Sequence, residues 1–337
     1  MILVTGATGH IGNVLVRLLL QRGQRVRALV RPGKRPRPLE GLEVDLVPGD
    51  LLDRDSLVRA LSGVETVYHL AARISLAPGP DPETERVNLQ GTRHLLAAMR
   101  QAGTRRLVYA SSIYAMRVPP VGVVDESCPF DPHHARGAYD RSKAAASLEV
   151  QRAAAQGLEA VLVCPTAVVG PYDFRPSEAG RGIRYNMTPG LKFLVDGAYD
   201  FVDVRDVAAG MLLAAERGRS GRVYILGGER LTVREVAQVV WEALGCARPS
   251  LEIPLWLAYL AAGFLQPVAD FFGFDPLVTR YSLDAVTSNS HISHARAAAE
   301  LGYRPRPARQ AIRAAVAWFQ EMDRLTERAE QPIRAAA

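Results

Sequence analysis

Leu3-Val4-Thr5-Gly6-Ala7-Thr8-Gly9-His10-Ile11-Gly12 carries three glycines at a spacing of three, between a short aliphatic run and a Val- and Leu-rich segment. A strand that ends in a glycine-rich turn and opens a helix gives each glycine a task. Gly6 permits the tight turn, Gly9 lets a pyrophosphate approach the backbone, and Gly12 lets the helix pack closely on the strand. The free N–H groups and the dipole of the helix terminus then favour an anion. Gly6, Thr8, Gly9, His10, Ile11 and Gly12 are therefore the first candidates for holding a dinucleotide.

Working outward, short β-branched runs alternate with longer Ala- and Leu-rich segments, the pattern of βαβ units. Strands are expected at 2–5, 25–30, 43–48, 66–70, 106–110 and 160–164, and helices near 10–22, 53–62, 84–103 and 138–156. The fold class is α/β: a Rossmann-type, doubly wound parallel sheet with a smaller C-terminal substrate-binding region. The dinucleotide-binding domain is placed at 1–165. Residues 200–227 are expected to return to it as strand, helix and strand, while 166–199 and 228–325 form the substrate region and 326–337 a frayed tail. Thr232 and Glu235 form a capping box for a helix over 233–244.

Composition narrows the function classes. Of 337 residues, 48% are hydrophobic and 23% charged, an ordinary globular balance, and the net charge of +6 is spread among interleaved cations and anions. That spread argues against a nucleic-acid partner. Cys128, Cys164 and Cys246 are too few for a disulfide framework or a zinc site, no metal is expected, and the residues before Ile2 leave no room for a signal peptide. The expected location is cytoplasmic. The apolar run 253–265 is too short to cross a bilayer. It reads as ordinary core or a wall for an apolar substrate, and no basic amphipathic pattern supports a membrane-surface role.

An NAD-binding Rossmann unit places an acid about 20 residues beyond its loop, on the ribose 2′-hydroxyl. Here Arg31 stands 19 residues after Gly12, followed by Lys34, Arg35 and Arg37. Arg31 and Lys34 suit a 2′-phosphate, so NADP is the preferred cofactor and NAD the alternative. Asp50 and Leu51, past the third strand, are placed beside the adenine.

Tyr139 and Lys143 lie four apart at the start of a helix, on one face. A cation beside a phenol lowers its pKa, making Tyr139 a candidate acid or base and Lys143 its modulator and a donor to the nicotinamide ribose. Ser111 and Ser112 follow the fifth strand, at the carboxyl edge where open α/β sheets bind ligands.

With these residues in place the chain resembles the extended short-chain dehydrogenase/reductases, the NAD-dependent epimerase/dehydratase family, over nearly its whole length. The resemblance rests on Gly6 to Gly12, His69 to Ala72, Val87-Asn88 with Gly91-Thr92, Ser111-Ser112, Tyr139 with Lys143, Pro165-Thr166 and Phe201 to Val207. Within that family it is similar to dihydroflavonol-4-reductase-like enzymes and hopanoid-associated sugar epimerase homologues. The resemblance implies that Ser112 acts with Tyr139 while Ser111 shapes the site. It also implies that Ala71, Ala72 and Asn88 flank the cofactor, that Pro165 and Thr166 adjoin the nicotinamide, and that the helices at 84–103 and 138–156 pair in a homodimer.

Ser112, Tyr139 and Lys143 serve both a carbonyl reductase and a nucleotide-sugar epimerase with bound NAD. Ile113 and Tyr114 after Ser112 argue against a 4,6-dehydratase, which carries acids there. Arg31 and the apolar run favour NADPH-dependent reduction of an apolar ketone, whereas Arg175, Arg181 and Arg184 as a diphosphate clamp would favour the epimerase. A non-catalytic NADP-sensing regulator would be expected to lack one of the three catalytic residues. The substrate pocket is expected around Ile74, Tyr114, Phe174, Met187 and Phe193.

Overall fold

A strand covered on both faces needs apolar side chains at successive positions, and the first strand supplies them. Leu3 points to one side of the sheet with Leu107 and Leu162, and Val4 to the other with Val108 and Val163. The strands, in chain order, are β1 (Ile2–Thr5), β2 (Val26–Val30), β3 (Asp45–Pro48), β4 (Thr66–His69), β5 (Arg106–Ala110), β6 (Glu159–Pro165), β7 (Ala167–Val169), β8 (Lys192–Leu194), β9 (Ala198–Asp203), β10 (Val223–Leu226), β11 (Glu229–Thr232) and β12 (Ser250–Glu252). The α-helices are α1 (His10–Gln21), α2 (Arg54–Ala60), α3 (Pro82–Glu85), α4 (Gly91–Ala102), α5 (Ala138–Ala155), α6 (Glu178–Met187), α7 (Val204–Arg217), α8 (Val233–Leu244), α9 (Leu255–Phe272), α10 (Arg280–Thr287) and α11 (Ala308–Arg334). This computed structural model describes all residues except 34–35, 76–78, 134–136, 273–277 and 335–337, and the backbone alone for 266–272 and 326–334.

Seven strands form one parallel sheet in the order β10-β6-β5-β4-β1-β2-β3. The chain leaves β1 toward β2 and β3, then turns back through β4, so the switch point lies between β1 and β4. Ligands of open α/β sheets bind outside the carboxyl ends at that point. One core packs α2, α4 and α5 on the sheet, and the other packs α1 and α7.

One expectation about the later chain needs correcting. Residues 223–226 do return to the main sheet, as β10 beside β6. The strand before them does not: β9 belongs to a separate three-stranded sheet, β11-β9-β7, where it pairs parallel with β7 and antiparallel with β11. Its Tyr199 and Phe201 pack ring against ring on that small sheet. The backbone of α11 continues to Arg334.

The expected helix at 84–103 is not continuous. A π-helical turn at Arg86–Gln90 separates α3 from α4 and carries Asn88. Such bulges recur where a helix must re-aim a side chain. By contrast, α8 begins at its Thr232–Glu235 capping box as read from sequence. Among the described residues, no helix is long and apolar enough to cross a membrane.

Candidate functional site

The glycine turn is built from close approaches. Gly6 has φ +71°, and a Cβ there would lie 2.6 Å from the Ala71 nitrogen, between the ends of β1 and β4. A Cβ on Gly12 would stand 2.1 Å from the Gly6 carbonyl oxygen, so only glycine lets α1 begin where it does. Gly9 is the N-cap and offers no side-chain cap, while Thr8 and Gly9 are exposed. The first-turn N–H groups are therefore open to an anion, and the cradle fits a dinucleotide pyrophosphate. Ile11 is half-buried against the core.

His10 turns away from that anion site. Its Nε2 lies 3.0 Å from the Pro171 carbonyl oxygen and its Nδ1 4.0 Å from Asp173. Burial pushes its pKa down, so the ring is held neutral and its side chain is not a phosphate ligand. Asn13 adds a second tie, donating to the carbonyls of Gly9 (2.8 Å), His10 (3.1 Å) and Tyr172 (3.1 Å). Tyr172 holds φ +68° with its ring beneath Arg17 and against Trp318. This 171–173 segment braces the dinucleotide turn. Asn13 escaped the sequence reading, although a buried amide within an apolar helix was its signal.

Below the carboxyl end of β4 lies a directional chain. Ala71 N–H donates to Thr5 Oγ1 (3.2 Å), and Thr5 pairs with His69 Nδ1 (2.7 Å). On the other side His69 Nε2 meets Thr92 Oγ1 (3.1 Å), which donates to the Asn88 carbonyl (2.6 Å). Thr92 spends its one proton on Asn88, so it accepts from His69 Nε2–H, and Nδ1 accepts from Thr5. Burial, and then the nearby Lys143 cation, push the His69 pKa down to about 3. This neutral histidine fixes the floor beneath Ala71, which is half-buried, and Ala72, which is exposed.

Asn88 spends its side chain on scaffolding. It accepts from Arg73 N–H (2.8 Å) and donates to the Arg73 carbonyl (3.0 Å) and Ser142 Oγ (3.0 Å), and Ser142 donates to the Tyr139 carbonyl (2.9 Å). The residue expected beside the cofactor thus ties the segment after β4 to the start of α5.

Ser112 and Tyr139 do come together, close enough for the serine hydroxyl to act on the phenol, and Ser112 Oγ also accepts from Tyr114 N–H (3.2 Å). Ser111 instead pairs with Ser147 at 2.6 Å, beneath the site. Burial and the adjoining Asp140 carboxylate push the Tyr139 pKa above that of a free phenol, while Ser112 pulls the other way. Lys143 departs from expectation: its Nζ donates to the Ala110 carbonyl (2.6 Å) and Tyr109 hydroxyl (2.9 Å). Burial pushes it down to about 7, which weakens any cationic pull on Tyr139. The phenol therefore keeps its proton at neutral pH. Asp140 is itself buried and accepts from Tyr281 on α10 (2.8 Å), a partner 141 residues away that local pattern cannot foretell.

Tyr281, Tyr114 and Tyr199 form an aromatic wall beside Tyr139, with successive centroids 5.7 Å apart. Of the expected pocket residues, Tyr114 joins this wall. Phe174 packs on Trp318, Met187 on the α8–α11 core, and Phe193 and Ile74 are exposed. Pro165 ends β6, and the buried Thr166 hydroxyl has no hydrogen-bond partner among the described residues.

At the other end of the cleft, Arg31 is exposed just past β2, without an acidic partner among the described residues. Lys34 and Arg35 lie outside the described residues. Asp50 closes its own turn, accepting from Leu52 N–H (2.9 Å). Leu51 is buried against Gly91. Of the pair, only Asp50 keeps a half-exposed side chain.

A family model described as "NAD dependent epimerase/dehydratase family" matches residues 2–227. "Sterol demethylase protein B" of Methylococcus capsulatus is 40% identical over 321 residues, 95% of this chain and 98% of its own. A Synechocystis sp. protein named for dihydroflavonol 4-reductase is 37% identical, covering 94% of each chain. Among solved structures, that of gox2253 superposes with a TM-score of 0.83 at 37% identity, over 96% of this chain and 98% of that one.

Proposed function

Because this chain belongs to the NAD dependent epimerase/dehydratase family, an extended short-chain dehydrogenase/reductase fold with NAD(P) chemistry, we propose that it is a reductase of an apolar ring ketone, with NADPH as the reductant. The observation that carries this reading is the placing of half-buried Tyr139 beside buried Ser112, where desolvation and Asp140 hold the tyrosine proton in place. When bound, the nicotinamide supplies the hydride. Ser112 orients the substrate carbonyl, and Tyr139 delivers a proton to its oxygen as the carbon is reduced. Lys143 fixes the ribose from beneath, through an amine already held at Ala110 and Tyr109.

The substrate class is drawn from the aromatic wall of Tyr114, Tyr199 and Tyr281, and from relatives named for a sterol and for a dihydroflavonol, both fused-ring compounds. Two of the three arginines that would clamp a diphosphate in the sugar-epimerase alternative are engaged elsewhere, Arg181 with Glu178 and Arg184 with Asp323, each at 3.1 Å, while Arg175 is exposed. Arg31 supports NADP over NAD.

Tyr139→Phe is expected to lower hydride transfer by a factor of about 10²–10⁴ while cofactor affinity stays within a few fold. Turnover at the wild-type rate would refute the assignment. The copurifying cofactor offers a second check: exchangeable NADP agrees with a reductase, whereas tightly held NAD points to the epimerase.

We extend the proposal to a homodimer through α4 and α5. Ala98, Ala146 and Ala153 are used inside the monomer, which leaves Ala97 and Ala145 half-exposed at that face. Light scattering is expected to give twice the 36.7 kDa chain mass.

A further inference from the structure

Helix α9 has two unlike sides. Ala258 and Ala262 are buried against Leu283 of α10, small enough to let the helices approach closely. Trp256, Leu257, Leu260, Phe264 and Leu265 spread over the opposite half of the circumference, and Trp256 is 66% and Phe264 76% exposed. The run was expected to be core or pocket wall. The small alanines take the inward face instead, and the large side chains are left outside. The preceding β12 exposes Leu251 beside its register partner Phe193 on β8.

No charged residue occurs from Ile253 through Ala269. The nearest described cation at the rim is Arg280, exposed, with its guanidinium 3.9 Å from where a Gly263 Cβ would stand. Asp284, four residues on, is occupied by the Tyr259 hydroxyl at 2.7 Å. An apolar half-helix with an exposed Trp256 and with Arg280 at its rim matches an anionic bilayer surface. The surface also lies one helix from the chemistry. Leu283 of α10 backs α9, while Tyr281 of α10 bonds Asp140 beside Tyr139.

We infer that the exposed face of α9 docks the protein on anionic membrane surfaces, with its apolar side chains inserted into the interface and Arg280 at the headgroups. This rests on the reading of an apolar, membrane-resident substrate, and it places the reducing site beside the reservoir of that substrate.

The test is flotation of the full chain with vesicles of phosphatidylcholine alone or mixed with phosphatidylglycerol, without substrate or cofactor. Wild type is expected to float with the mixed vesicles. Phe264→Glu and Trp256→Glu should each lower the bound fraction by about tenfold, and Arg280→Ala should erase the preference for the anionic mixture. Matching circular dichroism and unfolding midpoints establish that the variants fold. Failure of the folded wild type to float, or floating undiminished by Phe264→Glu, overturns the inference. So does a dimer that Phe264→Glu converts to monomer, which would assign the face to a second copy. Reductase activity is measured separately on dispersed substrate, so its failure and the loss of docking are told apart.

Discussion

The two ends of the cofactor cleft differ in how firmly the chain fixes them. Around Tyr139 the polar groups are buried and committed: His69 is held between two threonines, Asn88 spans Arg73 and Ser142, and Lys143 rests on Ala110 and Tyr109. Past β2, Arg31 stands exposed beside Gly33, whose φ is +73°. Preorganisation is concentrated where hydride and proton must meet within a fraction of an ångström. In the proposed NADPH reading, recognition of the remote ribose falls to a cation in water, which is a weaker device and easier to change.

The sharpest way to break this contrast is at the glycine turn. Gly12→Ala would place its methyl 2.1 Å from the Gly6 oxygen, an impossible distance, so either α1 or the turn must move. Cofactor binding is expected to fall by at least about two orders of magnitude, measured by titrating NADPH fluorescence, since the anion site is made of backbone that the shift displaces. Unchanged affinity would mean that the close packing of α1 does not shape the site.

Reversing the charge at the open end should cost less. Arg31→Asp is expected to shift the ratio of NADP to NAD affinities by about tenfold, equivalent to about 1.4 kcal/mol, because an exposed pair is screened by solvent. The measurement is the ratio of kcat/KM with the two reduced cofactors. An unchanged ratio would show Arg31 to be a solvated loop residue with no part in the choice.

The same contrast explains what could be read from the residues alone. The glycine turn, the β1–β6 succession and the Tyr139–Lys143 spacing are local, set by strand and helix periods, and they were legible. The rule about the carboxyl ends of strands placed Ser111 and Ser112 at the sheet edge, and the family resemblance singled out Ser112 as the partner of Tyr139. Lys143 bonding Tyr109, Asp140 bonding Tyr281 and His10 turning to Pro171 are tertiary, and no spacing encodes them. The small sheet was missed for another reason. Its strands β7 and β11 are three and four residues long, too short for a period-two pattern to stand out. The outward face of α9 was hidden too, since a uniformly apolar run gives no clue to which side is covered.

The smallest effect tests the buried histidine beneath the site. His69 has a pKa of about 3 when folded, because burial and Lys143 disfavour its charged form. The unfolded chain titrates it near ~6.5. Between those values the unfolded state binds the additional proton, so stability falls as pH drops through the window and is unaffected by this group above it. The slope is at most about 1.4 kcal/mol per pH unit, or about 2 kcal/mol between pH 6.5 and 5. His69→Gln removes the titration, so urea unfolding of the variant should lose less stability over that interval than wild type. His10, also pushed down by burial, remains in both proteins and cancels in the comparison. Equal losses would mean that water reaches His69 and that the chain from Ala71 to Asn88 is not the closed, one-directional arrangement its distances describe.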